Sequence, residues 1–296
     1  MSAPEVLVIG RMGQLALSLA ERAPEHGIAA AFLGRPEIDL LDSESVRAAI
    51  ANSGAPTIIN AAAYTAVDQA ETEPELAQRI NAVAPGILAE AAAEAGARLI
   101  HISTDYVFNG ESPEPYEEDA PIDPVSVYGR TKAEGEEAVR RHLPDHAIVR
   151  TAWVYSPFGR NFVKTMLELA KSRPELRIVG DQIGNPTSAL DLADGLLSMA
   201  AAWKQGCNSG LGATYHFSGA RSMTWADFAR NIFAISRELG GPGADVIAIP
   251  TSDYPTPARR PANSRLDSSR FQSTFGYRAP AWPDPLRDVV RRLLER

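Results

Sequence analysis

The sequence predicts an α/β fold built around a parallel sheet. In its first half, short apolar runs typical of strands buried on both faces alternate with amphipathic stretches. Helical crossovers of this kind join parallel strands, whereas short hairpins join antiparallel ones. With 45% hydrophobic and 22% charged residues, the 296-residue chain has the composition of a folded globular protein rather than a disordered one.

Five strands separated by helices are predicted up to Arg150. The apolar runs that predict strands are 6–9, 28–33, 57–60, 98–102 and 147–150. Amphipathic stretches predict helices over 13–22, 43–52, 81–95 and about 125–141. Asp42 is a candidate N-cap of the second helix and Gly54 a candidate C-cap.

After Arg150 the pattern becomes less regular. Helices are predicted over 162–171, 188–203, 224–239 and about 285–296, with strand-like runs at 176–179, 214–217 and 246–249. The Pro- and Arg-rich tail cannot form a large sheet of its own, so we expect it to pack as a small α/β lid. The expected domains are a core over 1–150, to which about 181–205 return, and a discontinuous lid over 151–180 and 206–296.

The charge balance argues against two classes of partner. The chain has 29 Lys and Arg against 37 Asp and Glu, a net charge of −8, whereas nucleic acids and anionic membranes select for basic surfaces. No apolar run is long enough to span a bilayer, and no secretory leader is recognisable. We therefore expect a small-molecule ligand, no nucleic acid, no membrane and a cytoplasmic location.

Cysteine and histidine usage gives no sign of a disulfide or a metal. Cys207 is the sole cysteine, so an internal disulfide is excluded. The five histidines and this cysteine form neither a CxxC nor an HExxH motif, so no metal is predicted.

A glycine-containing turn follows the first predicted strand. Gly10 and Gly13 let a pyrophosphate approach the backbone, and the helix that follows supplies N–H donors. Gln14 and Leu15 begin that helix, and Ala16 is small enough for close packing of helix against strand. The turn predicts a Rossmann-type, doubly wound parallel sheet that binds a nicotinamide dinucleotide.

The end of the second strand bears on the choice of dinucleotide. Proteins specific for NAD usually carry an acid there for the ribose 2′-hydroxyl, but this chain has Gly34-Arg35-Pro36. The Arg35 guanidinium suits a 2′-phosphate, so NADP(H) is favoured, with NAD(H) as the alternative. Asp39 follows shortly and is a candidate contact for the adenine.

Three residues form a candidate catalytic set. Tyr128 and Lys132 are spaced i, i+4, which places them on one face of a predicted helix. A nearby ammonium favours the phenolate of a tyrosine and makes it a better acid–base catalyst near neutral pH. Thr104 follows the fourth strand, at the sheet edge where ligands of open α/β sheets bind, and its hydroxyl can hold a substrate carbonyl.

Over nearly its whole length the chain resembles the dTDP-4-dehydrorhamnose reductase family of the extended short-chain dehydrogenase/reductases. The segments that carry the resemblance are Gly10–Gln14, Asn60–Asp68, Ser103–Phe108, Tyr128–Lys132, Arg150–Tyr155, Asp181–Thr187 and Arg260–Leu266. The last three are more diagnostic than the glycine turn, which many Rossmann proteins share. The resemblance implies that the lid, 151–180 and 206–296, binds the substrate.

The resemblance also implies that this chain is an enzyme. The expected reaction is reduction of the 4-keto group of dTDP-4-dehydro-L-rhamnose to dTDP-L-rhamnose by NADPH or NADH. Tyr128 would be the proton donor, assisted by Lys132 and Thr104. The expected cofactor contacts are Gly10, Gly13, Gln14, Leu15, Arg35, Asp39, Leu40, Ala62, Ala63, Tyr64, Thr65, Tyr128 and Lys132. The expected substrate contacts are Thr104, Asp105, Tyr106, Val67 and Trp153. A homodimer is compatible with the sequence.

Arg260 is a candidate ligand of the substrate diphosphate, because a planar guanidinium binds phosphate oxygens in pairs. Related sugar dehydratases carry an Asp-Glu pair after the threonine, whereas Asp105 is followed here by Tyr106, which argues against dehydration. Cys207 lies outside every motif, which argues against an epimerase-reductase. Two alternatives stay open: a reductase of another dTDP-4-keto-6-deoxysugar, and a non-catalytic NADP-binding regulatory subunit.

Overall fold

The computed structural model describes residues 3–295, so Met1, Ser2 and Arg296, at the ends of the expected domains and of the last predicted helix, lie outside the described residues. In chain order the strands are β1 Val6–Ile9, β2 Ala30–Leu33, β3 Thr57–Asn60, β4 Arg98–Thr104, β5 His146–Thr151, β6 Val154–Tyr155, β7 Glu175–Val179, β8 Ile183–Gly184, β9 Thr187–Ser188, β10 Ala213–His216, β11 Met223–Thr224 and β12 Asp245–Ile249. No helix in the described range is both long and apolar enough to cross a membrane.

The helices are interleaved with these strands. They are α1 Gln14–Arg22, α2 Ser43–Ser53, α3 Val67–Ala70, α4 Pro74–Gln78, α5 Ala84–Glu94, α6 Val127–His142, α7 Phe162–Ala170, α8 Ala189–Lys204, α9 Trp225–Glu238, α10 Ser269–Phe275 and α11 Asp284–Leu294. Residues 79–83 form a π-helical turn between α4 and α5, so the helix predicted over 81–95 begins irregularly. Asp42 caps α2 as predicted, and Gly54 adopts the left-handed conformation at its end.

A six-stranded parallel sheet in the order β10-β5-β4-β3-β1-β2 forms the core. Alternate residues of β1 face opposite sides: Val6 and Val8 pack with α1 and α8, whereas Leu7 and Ile9 pack with α2, α5 and α6. Helices on both faces explain why the strands read as continuous apolar runs. The predicted doubly wound α/β fold is confirmed.

The sequence prediction assigned all of 206–296 to the lid, and the structure differs at two places. Strand β10 pairs with β5 and forms the edge of the main sheet. Helix α10, which was not predicted, places Phe271 in the same core cluster as Phe217 and the residues of α8. A short apolar run predicts a strand but not its partner, and for this reason the sequence could not assign β10 to the large sheet.

The lid has a smaller core of its own. Helices α7, α9 and α11 bury Val163, Phe228 and Leu286 in one cluster. The parallel pair β7–β12 packs against α9. The two residues of β6 pair with β9, which directly precedes α8. This pairing joins the lid segment that follows β5 to the helix that returns to the core.

Candidate active site

The C-terminal end of β4 and the first turns of α6 meet at one cavity of about 690 Å³. Helix α6 is capped by Ser126, whose Oγ accepts the Gly129 N–H at 3.1 Å. A Cβ on Gly129 would lie 2.1 Å from the carbonyl oxygen of Tyr106, so only glycine permits this close approach of helix and strand end. The approach brings Tyr128 against the end of β4.

Most of the predicted site residues line this cavity. They are Gly10, Gly13, Gln14, Leu15, Ala62, Ala63, Thr65, Val67, Thr104, Asp105, Tyr106, Tyr128, Lys132 and Trp153. Arg35, Asp39, Leu40, Tyr64 and Arg260 are not among its lining residues. The cavity therefore joins the glycine turn, the candidate catalytic set and part of the lid.

Tyr128 and Lys132 are both desolvated. Burial raises the pKa of Tyr128 to about 12 and lowers that of Lys132 to about 8, in each case because it disfavours the charged form. The Lys132 ammonium group donates to the Ile102 carbonyl at 2.7 Å. The Tyr106 ring contacts the Tyr128 ring edge-on, with centroids 5.6 Å apart.

Thr104 and Asp105 form a local hydrogen-bonded pair. The Thr104 hydroxyl lies 2.9 Å from Oδ1 of Asp105 and accepts the Tyr106 N–H at 3.2 Å. Burial raises the pKa of Asp105 to about 7, while the Ser264 and Thr104 hydroxyls act in the opposite direction. Among residues 3–295, Oδ2 of Asp105 and the hydroxyl of Thr151 find no hydrogen-bond partner. Both residues line the cavity, but these two atoms are themselves buried behind its surface.

The glycine turn has the form of an anion site. Gly10 has φ +125°, a conformation that favours glycine, and a Cβ there would lie 3.4 Å from the backbone of Ala61. Gly13 caps α1 without a side chain, and the first turn of α1 contains no acid. Its free N–H groups therefore suit a pyrophosphate.

Gln14, a predicted cofactor contact, also forms hydrogen bonds to the lid. Its Oε1 accepts hydrogen bonds from Ser156 at 2.8 Å and from Asn161 at 3.0 Å. Its polar atoms are thus engaged by the lid segment that follows β6, and the residue connects the glycine turn to the lid.

Two arginines lie at the end of β2. Arg35 is 67% exposed and pairs with Asp39 at 3.1 Å. Arg11, which the sequence reasoning did not single out, pairs with Glu37 and packs so close to Gly34 that a Cβ there would lie 2.7 Å from its own. The position of Arg11 between Gly10 and Gly13 is the sequence feature from which this second positive charge near the cofactor site could have been predicted.

Tyr64 is turned away from the cavity. Its hydroxyl donates to Glu73 at 2.7 Å, and its backbone N–H donates to Asn81 at 2.8 Å. The backbone of Tyr64 nevertheless lies next to the cavity, because its chain neighbours Ala63 and Thr65 both line it.

Arg260 contacts Asp68 rather than the first cavity. Its two terminal nitrogens bind the two carboxylate oxygens of Asp68 at 3.1 and 2.9 Å. Arg260 also lines a second cavity of about 710 Å³ in the lid, together with Trp225 and Tyr254. Trp225 stacks on Trp153 of the first cavity with centroids 3.5 Å apart, so this ring pair lies between the two cavities.

The sequence reasoning assigned no role to two buried polar residues behind the catalytic set. Asn60 is the last residue of β3 and His101 lies in β4, and both side chains are buried. His101 lies 3.3 Å from the Lys132 nitrogen. No group of three or more His, Cys, Asp or Glu side chains within residues 3–295 is placed to hold a metal ion.

A doubly wound sheet with a glycine turn after β1 and a Tyr–Lys pair in the cavity beside the end of β4 defines a protein of the short-chain dehydrogenase/reductase class. A family model described as the RmlD substrate binding domain matches residues 4–295. The chain belongs to this family, that of the dTDP-4-dehydrorhamnose reductases. These are nucleotide-sugar ketoreductases, which confirms the predicted enzyme class.

Named relatives match this chain over nearly its full length. The dTDP-4-dehydrorhamnose reductase of Sinorhizobium fredii is 45% identical over 97% of each chain. The crystal structure of the Clostridium acetobutylicum dTDP-4-dehydrorhamnose reductase superposes with a TM-score of 0.88 at 35% identity, covering 98% of this chain and 99% of that one. The Bacillus anthracis reductase, solved in complex with NADP, gives 0.87 at 33% identity over 97% and 99%.

Proposed function

We propose that the chain reduces the 4-keto group of dTDP-4-dehydro-L-rhamnose to dTDP-L-rhamnose with NADPH. The observation that carries the proposal is the convergence of Thr104, Tyr128 and Lys132 in the cavity that also contains the glycine turn. A regulatory subunit has no use for a desolvated tyrosine and lysine at that place, so the arrangement favours catalysis.

NADP(H) fits the residues present. The Gly10 and Gly13 backbone and the N-terminus of α1 would hold the pyrophosphate, and Lys132 the nicotinamide ribose. Arg11 and Arg35 lie together at the end of β2, where a 2′-phosphate would lie. The NADP complex of the Bacillus anthracis relative supports the same choice. When bound, the cofactor would supply the hydride.

Tyr128 would supply the proton. On reduction of the sugar at C4, the keto oxygen would take the hydroxyl proton of Tyr128, which leaves a secondary alcohol and a phenolate. The ammonium group of Lys132 stabilises that phenolate in a desolvated site, where an unscreened charge has a large effect. The reaction therefore needs Tyr128 protonated and Lys132 charged at the moment of transfer.

Thr104 would orient the keto group. Its hydroxyl oxygen is fixed by the Tyr106 N–H, and its hydrogen is shared with Asp105. A protonated Asp105 can donate to Thr104, which frees the threonine hydrogen for the substrate oxygen.

The lid would bind the nucleotide. The second cavity offers the aromatic ring of Trp225 for a base, and Arg260 for a diphosphate. The Trp153–Trp225 stack lies between this cavity and the catalytic one, a suitable place for the junction of nucleotide and sugar. We propose on this basis that the lid determines which nucleotide-sugar is reduced.

The proposal is tested by mixing the purified chain with NADPH and dTDP-4-dehydro-L-rhamnose, and with the epimeric 4-keto-6-deoxysugar as comparison. Oxidation of NADPH with formation of dTDP-L-rhamnose is expected. Faster turnover of the epimer would reassign the substrate, and tight NADPH binding without turnover of either sugar would instead indicate a regulatory subunit.

A further inference from the structure

Three buried side chains form a continuous row behind the catalytic pair. Nδ2 of Asn60 lies 3.0 Å from Nδ1 of His101, and Nε2 of His101 lies 3.3 Å from Nζ of Lys132. Asn60 and Lys132 are each 1% exposed, and His101 is 0% exposed. The row crosses from β3 to β4 to α6 and ends at the group that stabilises the Tyr128 phenolate.

The hydrogen bonds of Asn60 fix the proton on His101. Oδ1 of Asn60 accepts the Ala62 N–H at 3.2 Å, so its amide nitrogen is the end that faces the imidazole. That nitrogen can only donate, and Nδ1 of His101 must accept. Burial and the neighbouring Lys132 lower the pKa of His101 well below its ordinary value, so the ring is neutral and carries its proton on Nε2.

This tautomer presents an N–H group to Lys132. An ammonium group has only hydrogens to offer, so it gains no hydrogen bond from the Nε2–H of His101, whereas a neutral amine can accept that hydrogen. The Ile102 carbonyl accepts from either form of the lysine, and so it does not decide between them.

We propose that His101, held by Asn60 with its proton on Nε2, disfavours the ammonium form of Lys132 and thereby sets the alkaline limit of the reaction. His101 is a positioning residue in this account, because it acts through Lys132 and not on the substrate. The kinetic part of the proposal depends on the proposed reductase activity, whereas the tautomer does not.

Other charged groups face the row, and their effects oppose one another. Glu136, one turn further along α6, favours a charged Lys132, but its carboxylate is already bound by Arg150 at 2.8 Å and by Arg140 at 2.8 Å. The groups that act electrostatically on His101, besides Lys132, are His146 of β5 and Arg140 of α6. On the cavity side lie Tyr128 and Asp105.

The tautomer is tested directly by ¹⁵N NMR on the wild-type protein. We expect His101 to show a protonated Nε2 and a bare Nδ1, and its resonances to shift as Lys132 titrates. The shift should vanish in Lys132→Met. A proton on Nδ1, or resonances that ignore the state of Lys132, would overturn the proposal without reference to any enzymatic activity.

The kinetic test is the pH profile of kcat/KM in His101→Gln, whose amide oxygen can accept from the Lys132 ammonium. We expect the alkaline limb to move upward by about half a pH unit, roughly a threefold gain in relative rate on that limb. His216→Gln is the matched control, since His216 is equally buried in the sheet but contacts Arg150 and the Tyr116 carbonyl.

The limb of His216→Gln should stay at the wild-type pH. An unmoved limb in an active His101→Gln enzyme would contradict the proposal. Absence of turnover in the wild type would contradict the proposed function instead. If His101→Gln does not fold, the NMR result on the wild type decides.

Discussion

The two sides of the site are built in different ways. On the core side, Thr104 and Lys132 are 5% and 1% exposed, and their surroundings change their protonation and hydrogen bonding. Where the lid meets the core, Arg260 of the lid and Asp68 of α3 keep 24% and 41% of their side chains exposed and form an ion pair within reach of water. Under the proposed function, the core would perform the chemistry, where desolvation is strong, and the lid would recognise the ligand by shape and charge.

This division follows from the fold. Groups at the end of β4 lie between a sheet and α6, so they are removed from water by the same packing that forms the core. The contacts of the lid join its loops to α3 of the core, and its aromatic stack is formed from residues of separate segments. Substitutions on the two sides should therefore affect different measured quantities.

The largest expected effect is that of Tyr128→Phe on catalysis. Loss of the proton donor should lower kcat by about 10²–10⁴-fold, the usual contribution of general acid catalysis. NADPH binding, measured by cofactor fluorescence, should be preserved because the ring remains. Tyr215→Phe, on the far strand β10, is the control and should keep the wild-type kcat. A Tyr128→Phe enzyme with near wild-type kcat would remove the core side from the chemistry.

The next effect concerns stability. The Arg150–Glu136 pair is buried, with exposures of 1% and 0%, whereas the Arg177–Asp253 pair of the lid is 62% and 47% exposed. Arg150→Met should lower the free energy of unfolding by about 3 kcal/mol, because a buried carboxylate loses its main partner. Arg177→Met should have no measurable effect. Urea denaturation checks both, and equal losses would contradict the contrast between core and lid.

Arg260→Lys tests recognition by the lid. Lysine keeps the charge but loses the planar fork, so KM for the dTDP-sugar should rise roughly tenfold while kcat changes little. Steady-state kinetics at saturating NADPH separates the two constants. A fall in kcat with constant KM would place Arg260 in the chemistry instead.

Asp68→Asn distinguishes two roles for that arginine. If Arg260 leaves Asp68 to bind the diphosphate, removing the competing carboxylate should leave KM unchanged or lower it. If the pair only fastens α3 to the lid, Asp68→Asn should raise KM as Arg260→Lys does. The same kinetic assay reads both outcomes.

The smallest effect is expected at the exposed end of β2. Arg35→Ser should reduce the preference for NADPH over NADH by a factor of about five or less, because a solvent-exposed ion pair contributes little. Arg47→Ser is the control, since Arg47 pairs with Glu90 and Glu94 of α5 and was not predicted to contact the cofactor. An unchanged coenzyme ratio in Arg35→Ser would leave Arg11 as the remaining candidate.

The sequence was most informative where function follows a local pattern. The apolar run of β4 predicted a strand whose end carries Thr104, and the i, i+4 spacing predicted Tyr128 and Lys132 on one helix face. Both are properties of adjacent residues, and the fold brings them together because ligand sites of such sheets lie at strand ends.

Other features depend on residues far apart in the chain. Asn60 and His101 are 41 positions apart, and Asp68 and Arg260 are 192 apart. Neither pair has a spacing rule, so no local pattern could have shown that Arg260 meets a carboxylate or that His101 faces Lys132. The edge position of β10 belongs to the same class, because strand order is a tertiary property.

In the proposed reaction, the cavity between β4 and α6 holds a dTDP-sugar while NADPH reduces its 4-keto group and Tyr128 protonates the keto oxygen. This reaction is tested most directly by turnover of dTDP-4-dehydro-L-rhamnose with NADPH that carries deuterium at both positions of C4 of the nicotinamide, followed by NMR of the product. We predict dTDP-L-rhamnose with deuterium at C4 of the sugar. Consumption of the cofactor without deuterium at that carbon, or no product at all, would contradict the account.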